Sequence, residues 1–199
     1  MPMSMSTLVF IALAAMLVFW AVGAYNRLVR LKNTIANAFG QIDVQLKRRY
    51  DLIPNLVEAA RKYLAHEQTT LEAVIAARNQ ARNASDKAAS RPGKADAIIA
   101  LAAAEQTLDS SLGRLFALAE AYPDLKADQT IQGLSEELTS TENKVGFARQ
   151  AYNDAVLDYN NAQGQFPALL VARLFGFAPS AMLQATESAA ERQTVRIQL

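Results

Sequence analysis

The chain has 199 residues, with 20 Lys and Arg against 19 Asp and Glu, so its formal net charge is +1. This length suits one ordinary domain with a small appendage, and the balanced charge argues against a basic field for nucleic acid. Because the chain has no Cys and one His, thiol catalysis, disulfide frameworks and centres with several Cys or His ligands are excluded within one copy.

The first predicted element is a membrane anchor in residues 1–24. Every residue from Leu8 to Val22 is apolar, and no charged side chain precedes Arg27. The 18 residues of 7–24 form a helix of about 27 Å at ~1.5 Å per residue, which nearly crosses a hydrocarbon core about 30 Å thick. This segment is therefore predicted to contact lipid directly.

A cleaved signal peptide is the alternative, since residues 22–24 resemble a small-residue cleavage site. The leader has no Lys or Arg, whereas a signal peptide requires a positive segment before its apolar run, so we favour an uncleaved single span. Arg27, Arg30 and Lys32 follow the span. The positive-inside bias then predicts a short N-terminus outside and a cytoplasmic domain.

The rest of the chain, residues 25–165, is predicted to be helical, because it is rich in strong helix formers and lacks alternating strand patterns. A first helix is expected from Tyr25 to Tyr50, continuous with the anchor. A second is expected to open near Pro54, since proline suits a first helical turn. The polar, small and proline-containing stretch 83–93 is predicted to be a loop.

The third and fourth helices have the clearest pattern. From Ile98 to Tyr122, and again from Ile131 to Ala162, apolar residues are spaced alternately three and four apart, as in coiled coils and left-handed bundles. The predicted fold class is all-α, with an N-terminal transmembrane helix followed by an antiparallel up-down four-helix bundle of long helices.

This topology would bring the first connection, near 47–51, and the third, near 120–126, to the membrane-distal end. Exposed ion pairs could tie the two loops together, each contributing about 0–1 kcal/mol, and this is the favoured account. Alternatively, two tyrosines in a charged frame could anchor a protein partner. The candidate partner-binding residues are Lys47, Arg48, Arg49, Tyr50, Tyr122 and Asp124.

At the other end, the apolar stretch 166–177 is too short to span a bilayer. The segment 166–178 is predicted either to lie in the membrane interface beside the anchor or to cap the core of the bundle, and both accounts stay open. A polar tail is expected over 179–199. The candidate membrane-contact residues are Trp20, Tyr25, Leu169, Leu170, Leu174 and Phe175.

A short motif occurs twice, beginning at Tyr25-Asn26 and at Tyr152-Asn153, each with a further Asn later in the helix. If both copies face the same seam, their side chains could hydrogen-bond across it and fix the register of the helices. Chance recurrence of a short motif is the alternative.

Few residues carry recognisable chemistry. His66-Glu67 is not part of a metalloprotease motif, and no phosphate-binding or nucleophile-elbow motif occurs. Glu105 lies on the seam of the third helix, where a carboxylate must be paired or protonated, and Arg49 and Arg149 are available counter-charges. We predict structural pairing, with proton relay or acid/base work at Glu105 or Glu142 as the alternative. No catalytic, metal or cofactor-binding residue and no enzyme are predicted.

Several blocks resemble the LemA family, namely the run from Gln41 to Glu58, the block from Glu120 to Ala127, and separate matches from Thr141 to Pro167. The resemblance covers most of the chain. It implies a bacterial inner-membrane protein with a helical bundle, and no catalytic residues to carry over. Some members are similar to a magnetosome-membrane protein, and others are associated with membrane zinc peptidases of the HtpX type.

Three functions follow as hypotheses. The first is a non-enzymatic scaffold or adaptor that presents a cytoplasmic bundle for self-assembly or for protein partners, such as a membrane peptidase of the HtpX type. The second is a membrane-shaping protein that uses the anchor and an interfacial helix. The remote alternative is regulation of a membrane zinc peptidase. No nucleic-acid partner and no cofactor are expected.

Overall fold

The apolar N-terminal segment and the first core helix are one uninterrupted helix. The computed structural model describes residues 4–183, and helix α1 (Met5–Arg61) has 57 residues, which is about 85 Å at ~1.5 Å per residue. The Ser4 hydroxyl begins this helix by accepting a hydrogen bond from the Thr7 N–H at 3.3 Å. None of the most apolar 18-residue window of α1 is buried against the rest of the described chain. This helix is long and apolar enough to cross a membrane.

Five further helices follow in the described residues. They are α2 (Gln68–Ser90), α3 (Ala95–Ala119), α4 (Pro123–Ala127), α5 (Gln129–Gly164) and α6 (Ala168–Leu174). Residues 4–183 contain no strand, so the prediction of an all-helical chain with a long apolar N-terminal helix is confirmed. The spacing in the third and fourth predicted segments also identified core positions, since Leu101, Leu108 and Tyr152 are fully buried.

The prediction that Pro54 opens a second helix is wrong, because α1 continues through it to Arg61. Proline has no N–H to bond the carbonyl four residues earlier, which here belongs to Tyr50. The Arg78 guanidinium of α2 donates to that Tyr50 carbonyl oxygen at 2.9 Å instead. A tertiary contact therefore replaces the missing helical bond, and the first connection lies at 62–67.

The predicted loop at 83–93 is also wrong for most of its length, because α2 extends to Ser90. Ala84, Ser85 and Ala88 are buried, so small residues on one face of the helix allow close packing, while the polar residues between them face solvent. The actual connection is 91–94, in which Gly93 has a φ of +85°, a conformation that glycine adopts without strain.

The helices pack around α1. Helix α1 contacts α5 and α2, and α3 packs mainly on α2. Between α1 and α5, Arg48 pairs with Glu137 and Phe39 packs edge-on against Tyr152. Residues later in α1 therefore contact residues earlier in α5.

The C-terminal part returns along α5. Helix α6 packs on both α1 and α5, and residues 175–183 continue without helical structure. Leu183 is buried against the core. Of the expected polar tail at 179–199, residues 184–199 lie outside the described part of the chain.

Candidate functional site

The predicted membrane-distal cluster does not form, because four of its six residues lie inside α1 rather than in a connection. Lys47 pairs with Asp43 one turn earlier, with Nζ and Oδ2 2.6 Å apart, and this bond raises the pKa of the Lys47 ammonium. Arg48 reaches across to Glu137 of α5, with Nη2 and Oε1 2.5 Å apart. Lys47 and Arg48 remain exposed.

Arg49 and Tyr50 belong to a buried charged cluster between α1 and α3. The Arg49 guanidinium donates to Glu105 at 2.9 Å and also to Asp109, while the Tyr50 hydroxyl donates to the other Glu105 oxygen. The Arg49 side chain is 7% exposed. The expected structural pairing of Glu105 is therefore present, with Asp109 as a member that the sequence pattern did not identify.

Burial is the largest single influence on the pKa of each of the three groups Glu105, Tyr50 and Arg49. It raises the pKa of the Glu105 carboxyl, although the bonds from Tyr50 and Arg49 oppose the shift. The pKa of the Tyr50 hydroxyl is also raised, by burial and by the adjacent Glu105 carboxylate. Burial would lower the pKa of Arg49, but the charges of Asp109 and Glu105 outweigh it and raise the value. Both Glu105 oxygens accept a hydrogen bond, so the cluster joins α1 and α3.

Tyr122 and Asp124 follow the C-terminal end of α3, near the true first connection. There the Tyr63 hydroxyl donates to Asp128 at 2.9 Å, and Asp128 also caps α5 by accepting from the Thr130 N–H at 2.8 Å. The Tyr63 bond, followed by the backbone donors of α5, lowers the pKa of Asp128. This end is thus joined by Tyr63 and Asp128.

The predicted tie between the basic run 47–49 and the connection near 120–126 is wrong, because Glu120 pairs with Lys126 of α4. Tyr50 also lies 11 residues before the end of α1, or about 16 Å along the helix axis. The residues that were expected to form one partner-binding surface are therefore divided between the middle and one end of the fold.

The predicted membrane-contact residues, in contrast, lie together. The rings of Tyr25 and Phe175 meet edge-on with centroids 4.9 Å apart, which places the end of α6 beside the end of the apolar part of α1. Leu170, Leu174 and Phe175 are exposed, and Leu169 is half-buried. Trp20 lines a shallow pocket between α1 and the start of α6.

Phe166 was missed as a member of this surface. It lies in the same pocket as Trp20 and is 80% exposed. The signal was available in the sequence, because Phe166 begins the same apolar stretch that contains Leu170 and Leu174. We call the exposed set Phe166, Leu170, Leu174 and Phe175 the α6 rim.

The recurring Tyr-Asn motif does not bond across a seam. Asn26 is exposed on α1, whereas Asn153 and Asn160 of α5 bond the backbone of Leu183 and Ser180. The predicted side-chain bonds between two helices are therefore wrong, and the second copy of the motif holds the C-terminal segment instead.

Metal ligands do not converge in the described region. Within residues 4–183, no three His, Asp or Glu side chains are grouped so that they could hold a metal ion, and His66 is exposed. An open cleft beside the charged cluster is lined by Arg49, Glu105 and Glu142. It contains charges of both signs.

Comparison with known proteins gives a family match and several relatives. The LemA family model matches residues 38–199. The chain is 28% identical to Protein LemA of Metamycoplasma hominis over 181 residues, which covers 90% of this chain and 78% of that protein.

Two magnetosome proteins are also similar. Magnetosome protein MamQ of Magnetospirillum gryphiswaldense is 23% identical over 168 residues, and Magnetosome protein MamQ 2 of Paramagnetospirillum magneticum is 24% identical over 168 residues. In both cases the match covers 77% of this chain and 62% of the relative, so the chain spans about three fifths of their length.

Proposed function

The chain belongs to the LemA family, and from that premise we propose that it is a non-enzymatic, membrane-anchored scaffold whose helical domain is held against the bilayer surface by α6. In this proposal α1 crosses the bacterial inner membrane once, with the short N-terminus outside, and α1, α2, α3 and α5 form an antiparallel four-helix bundle in the cytoplasm. The similarity to two magnetosome proteins supports a role at a membrane.

The observation that carries the proposal is the position of the α6 rim. Its apolar side chains are exposed. Phe175 packs on Tyr25 and Phe166 lies in the pocket of Trp20, where the uncharged segment of α1 ends. An apolar patch exposed to water is unfavourable. An amphipathic helix beside the end of the membrane-spanning segment can instead bury its apolar face in the headgroup region of the bilayer. Two contacts with lipid would then fix the orientation of the domain.

Fluorescence depth measurement tests this seating on the full-length protein. Because the chain has no Cys, Leu174→Cys provides a single labelling site for an environment-sensitive probe in phosphatidylglycerol and phosphatidylethanolamine vesicles. We expect brominated lipids to quench the probe at position 174, since Leu174 is 79% exposed next to the membrane.

Phe147→Cys is the matched control, because Phe147 of α5 is 76% exposed and lies far along α5 from the membrane-proximal end. Lipid quenching should be weak there. Equal quenching at both positions, or none at position 174, would contradict seating by α6.

A membrane-shaping role is the second candidate, favoured by the large side chains of the α6 rim. Insertion of Phe166, Leu170 and Leu174 into one leaflet would expand that leaflet. The same vesicles should then become smaller as the protein-to-lipid ratio rises, and light scattering would record the change. If the probe at position 174 is quenched but the vesicle diameters do not change, the scaffold function is retained and the membrane-shaping function is rejected.

Protein partners remain part of the proposal, and a membrane zinc peptidase is one candidate. Lys47 and Arg48 are the exposed members of the basic run, so we expect Lys47→Ala with Arg48→Ala to reduce crosslinking to a bound partner in membranes. Exposed pairs are worth about 0–1 kcal/mol, so the melting temperature should change little. Lys126→Ala, which breaks another exposed pair, is the control. An equal loss with Lys126→Ala would contradict a specific surface.

A further inference from the structure

The second Tyr-Asn motif forms a regular hydrogen-bonding ladder along α5. We define the α5 groove by Tyr152, Asn153, Tyr159 and Asn160, and the latch as residues 178–183. The Tyr159 hydroxyl donates to the Ala178 carbonyl at 3.0 Å, and the Tyr152 hydroxyl donates to the Ala181 carbonyl at 2.8 Å. The latch thus runs along α5 from its C-terminal end toward its N-terminal end.

Each Asn side chain pairs with one latch residue through two hydrogen bonds. Asn160 donates to the Ser180 carbonyl at 2.9 Å and accepts from the Ser180 N–H at 2.9 Å. Asn153 does the same with Leu183, at 3.0 and 2.9 Å. An amide that satisfies both backbone groups of one residue is the contact that an adjacent strand would otherwise provide.

The spacing of the groove matches an extended chain. The two Asn residues are seven positions apart, or about 10.5 Å along a helix. Ser180 and Leu183 are three positions apart, or about 10 Å in extended backbone. These two distances agree, so the spacing of the α5 groove suits an extended polypeptide that is bound through the polypeptide's own backbone.

Side chains of the latch add apolar contacts, since Leu183 and Ala181 pack against the core. The opposite wall of the groove is the 91–94 connection, whose Gly93 carbonyl accepts from the Ala181 N–H at 2.9 Å. A Cβ at Gly93 would lie 2.8 Å from the Ser180 Oγ, so the wall requires glycine there. Leu183 fills an apolar position at the end of the latch.

We propose that the α5 groove is an extended-polypeptide binding site and that, in an assembly, it takes the latch of a second copy of this chain. The exchanged unit is 168–183, which comprises α6 and the latch, and the connection 165–167 between α5 and α6 is its hinge. In the exchanged form, each α5 groove makes the same hydrogen bonds as in the closed form, but to the latch of the other copy.

Two features favour a second copy over an unrelated peptide. The latch is itself the sequence that fits the groove, so each copy supplies both parts, and the closed and exchanged forms differ only at 165–167. In addition, neighbouring anchors in one membrane hold two copies at the same height with the same polarity. Each latch then enters the other groove in the required direction, at a high effective concentration.

Crosslinking of full-length protein in native membranes tests the exchange, and the lack of native Cys makes every product assignable. One tagged copy carries Asn161→Cys, an exposed position next to Asn160 that leaves the four groove residues intact. A differently tagged copy carries Ser180→Cys, and a short bis-maleimide is added. The matched control pairs Arg48→Cys with Glu137→Cys, because these side chains touch but belong to α1 and α5, which do not exchange. We expect about tenfold more mixed dimer from the first pair than from the control.

Lengthening the hinge adds a second test, because the closed and exchanged forms differ only at 165–167. A Gly-Ser-Gly-Ser insertion after Gln165 in both copies relaxes the connection that the closed form must make, so the mixed dimer should fall by about tenfold. A mixed dimer no more abundant than the control, or one that is unaffected by the longer hinge, would overturn the proposal.

The inference rests on the proposed scaffold, because the anchor aligns the two copies, but the two can fail separately. A quenched probe at position 174 without a mixed dimer would retain membrane seating and reject latch exchange. A mixed dimer without quenching would retain latch exchange and reject seating by α6.

Discussion

At the scale of single residues, α1 passes through Pro54 because of one side chain on another helix. The Tyr50 carbonyl has no N–H at position 54 to bond, and the Arg78 Nε supplies the hydrogen bond at 2.9 Å. The Arg78 side chain is only 14% exposed, so this bond is shielded from water. An unpaired carbonyl at this depth would be unfavourable by about 1–3 kcal/mol.

We therefore predict that Arg78→Met lowers the free energy of unfolding by about 1–3 kcal/mol, because methionine keeps the apolar stem and loses the donor. The loss should be smaller by about 1 kcal/mol in a Pro54→Ala background, where the alanine N–H can bond the Tyr50 carbonyl. Urea unfolding in detergent micelles, followed by circular dichroism, measures the free energy of unfolding of the natural chain, the two single variants and the double variant.

The control is Arg82→Met on the same helix, since Arg82 is exposed and its replacement should stay within about 0.5 kcal/mol. If Arg78→Met has the same cost in the natural chain and in the Pro54→Ala background, Arg78 acts through some other contact.

At the scale of elements, the structure has one continuous α1, whereas the topology predicted from the sequence has a turn near 47–51. Residues 36 and 58 both lie on α1 and are equally distant from position 47. In a continuous helix they are about 33 Å apart, whereas a turn near 47–51 would bring two packed helices to about 10 Å at these positions.

Spin labels at Ala36→Cys and Glu58→Cys should therefore give a narrow distance distribution near about 33 Å in electron–electron double resonance. Both positions are exposed, so the labels should not disturb packing. The pair Ala36→Cys with Lys47→Cys is the control, since about 16 Å is expected in either topology. A short distance between positions 36 and 58 would contradict a continuous α1.

The sequence predicted those elements whose signal is local. The apolar run of the anchor and the three-and-four spacing of α3 and α5 are properties of consecutive residues, and they identified both the long helix and buried positions such as Leu108 and Tyr152. The boundaries failed where a distant residue decides them. The donor that compensates for Pro54 lies on another helix, 28 positions along the chain from Tyr50, so no local pattern could reveal it.

The candidate sites divide in the same way. The membrane-contact residues were predictable because the apolar stretch at 166–177 is contiguous. Its placement beside Tyr25 follows from the return of α5 to the end of the apolar segment of α1. The partner-binding set depended on where the first connection lies, and moving that connection to 62–67 separated its members. The latch was not predicted because Asn153 and Asn160 bind backbone, which leaves no side-chain pattern in the segment that they hold.

At the scale of the whole molecule, the proposed anchor and the first core helix are one helix, so the orientation of the anchor would decide the compartment of every other surface. Arg27, Arg30 and Lys32 follow the apolar segment directly. Basic residues are retained on the cytoplasmic side, and no flexible linker separates them from the rest of α1. The α6 rim would then contact the inner leaflet.

A membrane-impermeant maleimide applied to intact spheroplasts should label Ser6→Cys and leave Glu58→Cys unlabelled, since both residues are exposed and lie near opposite ends of α1. Permeabilised spheroplasts provide the control, because both positions should then react equally. Labelling of Glu58→Cys in intact spheroplasts would reverse the proposed orientation. The α6 rim and the α5 groove would then face the outer side of the membrane, and any partner of the domain would have to come from that compartment.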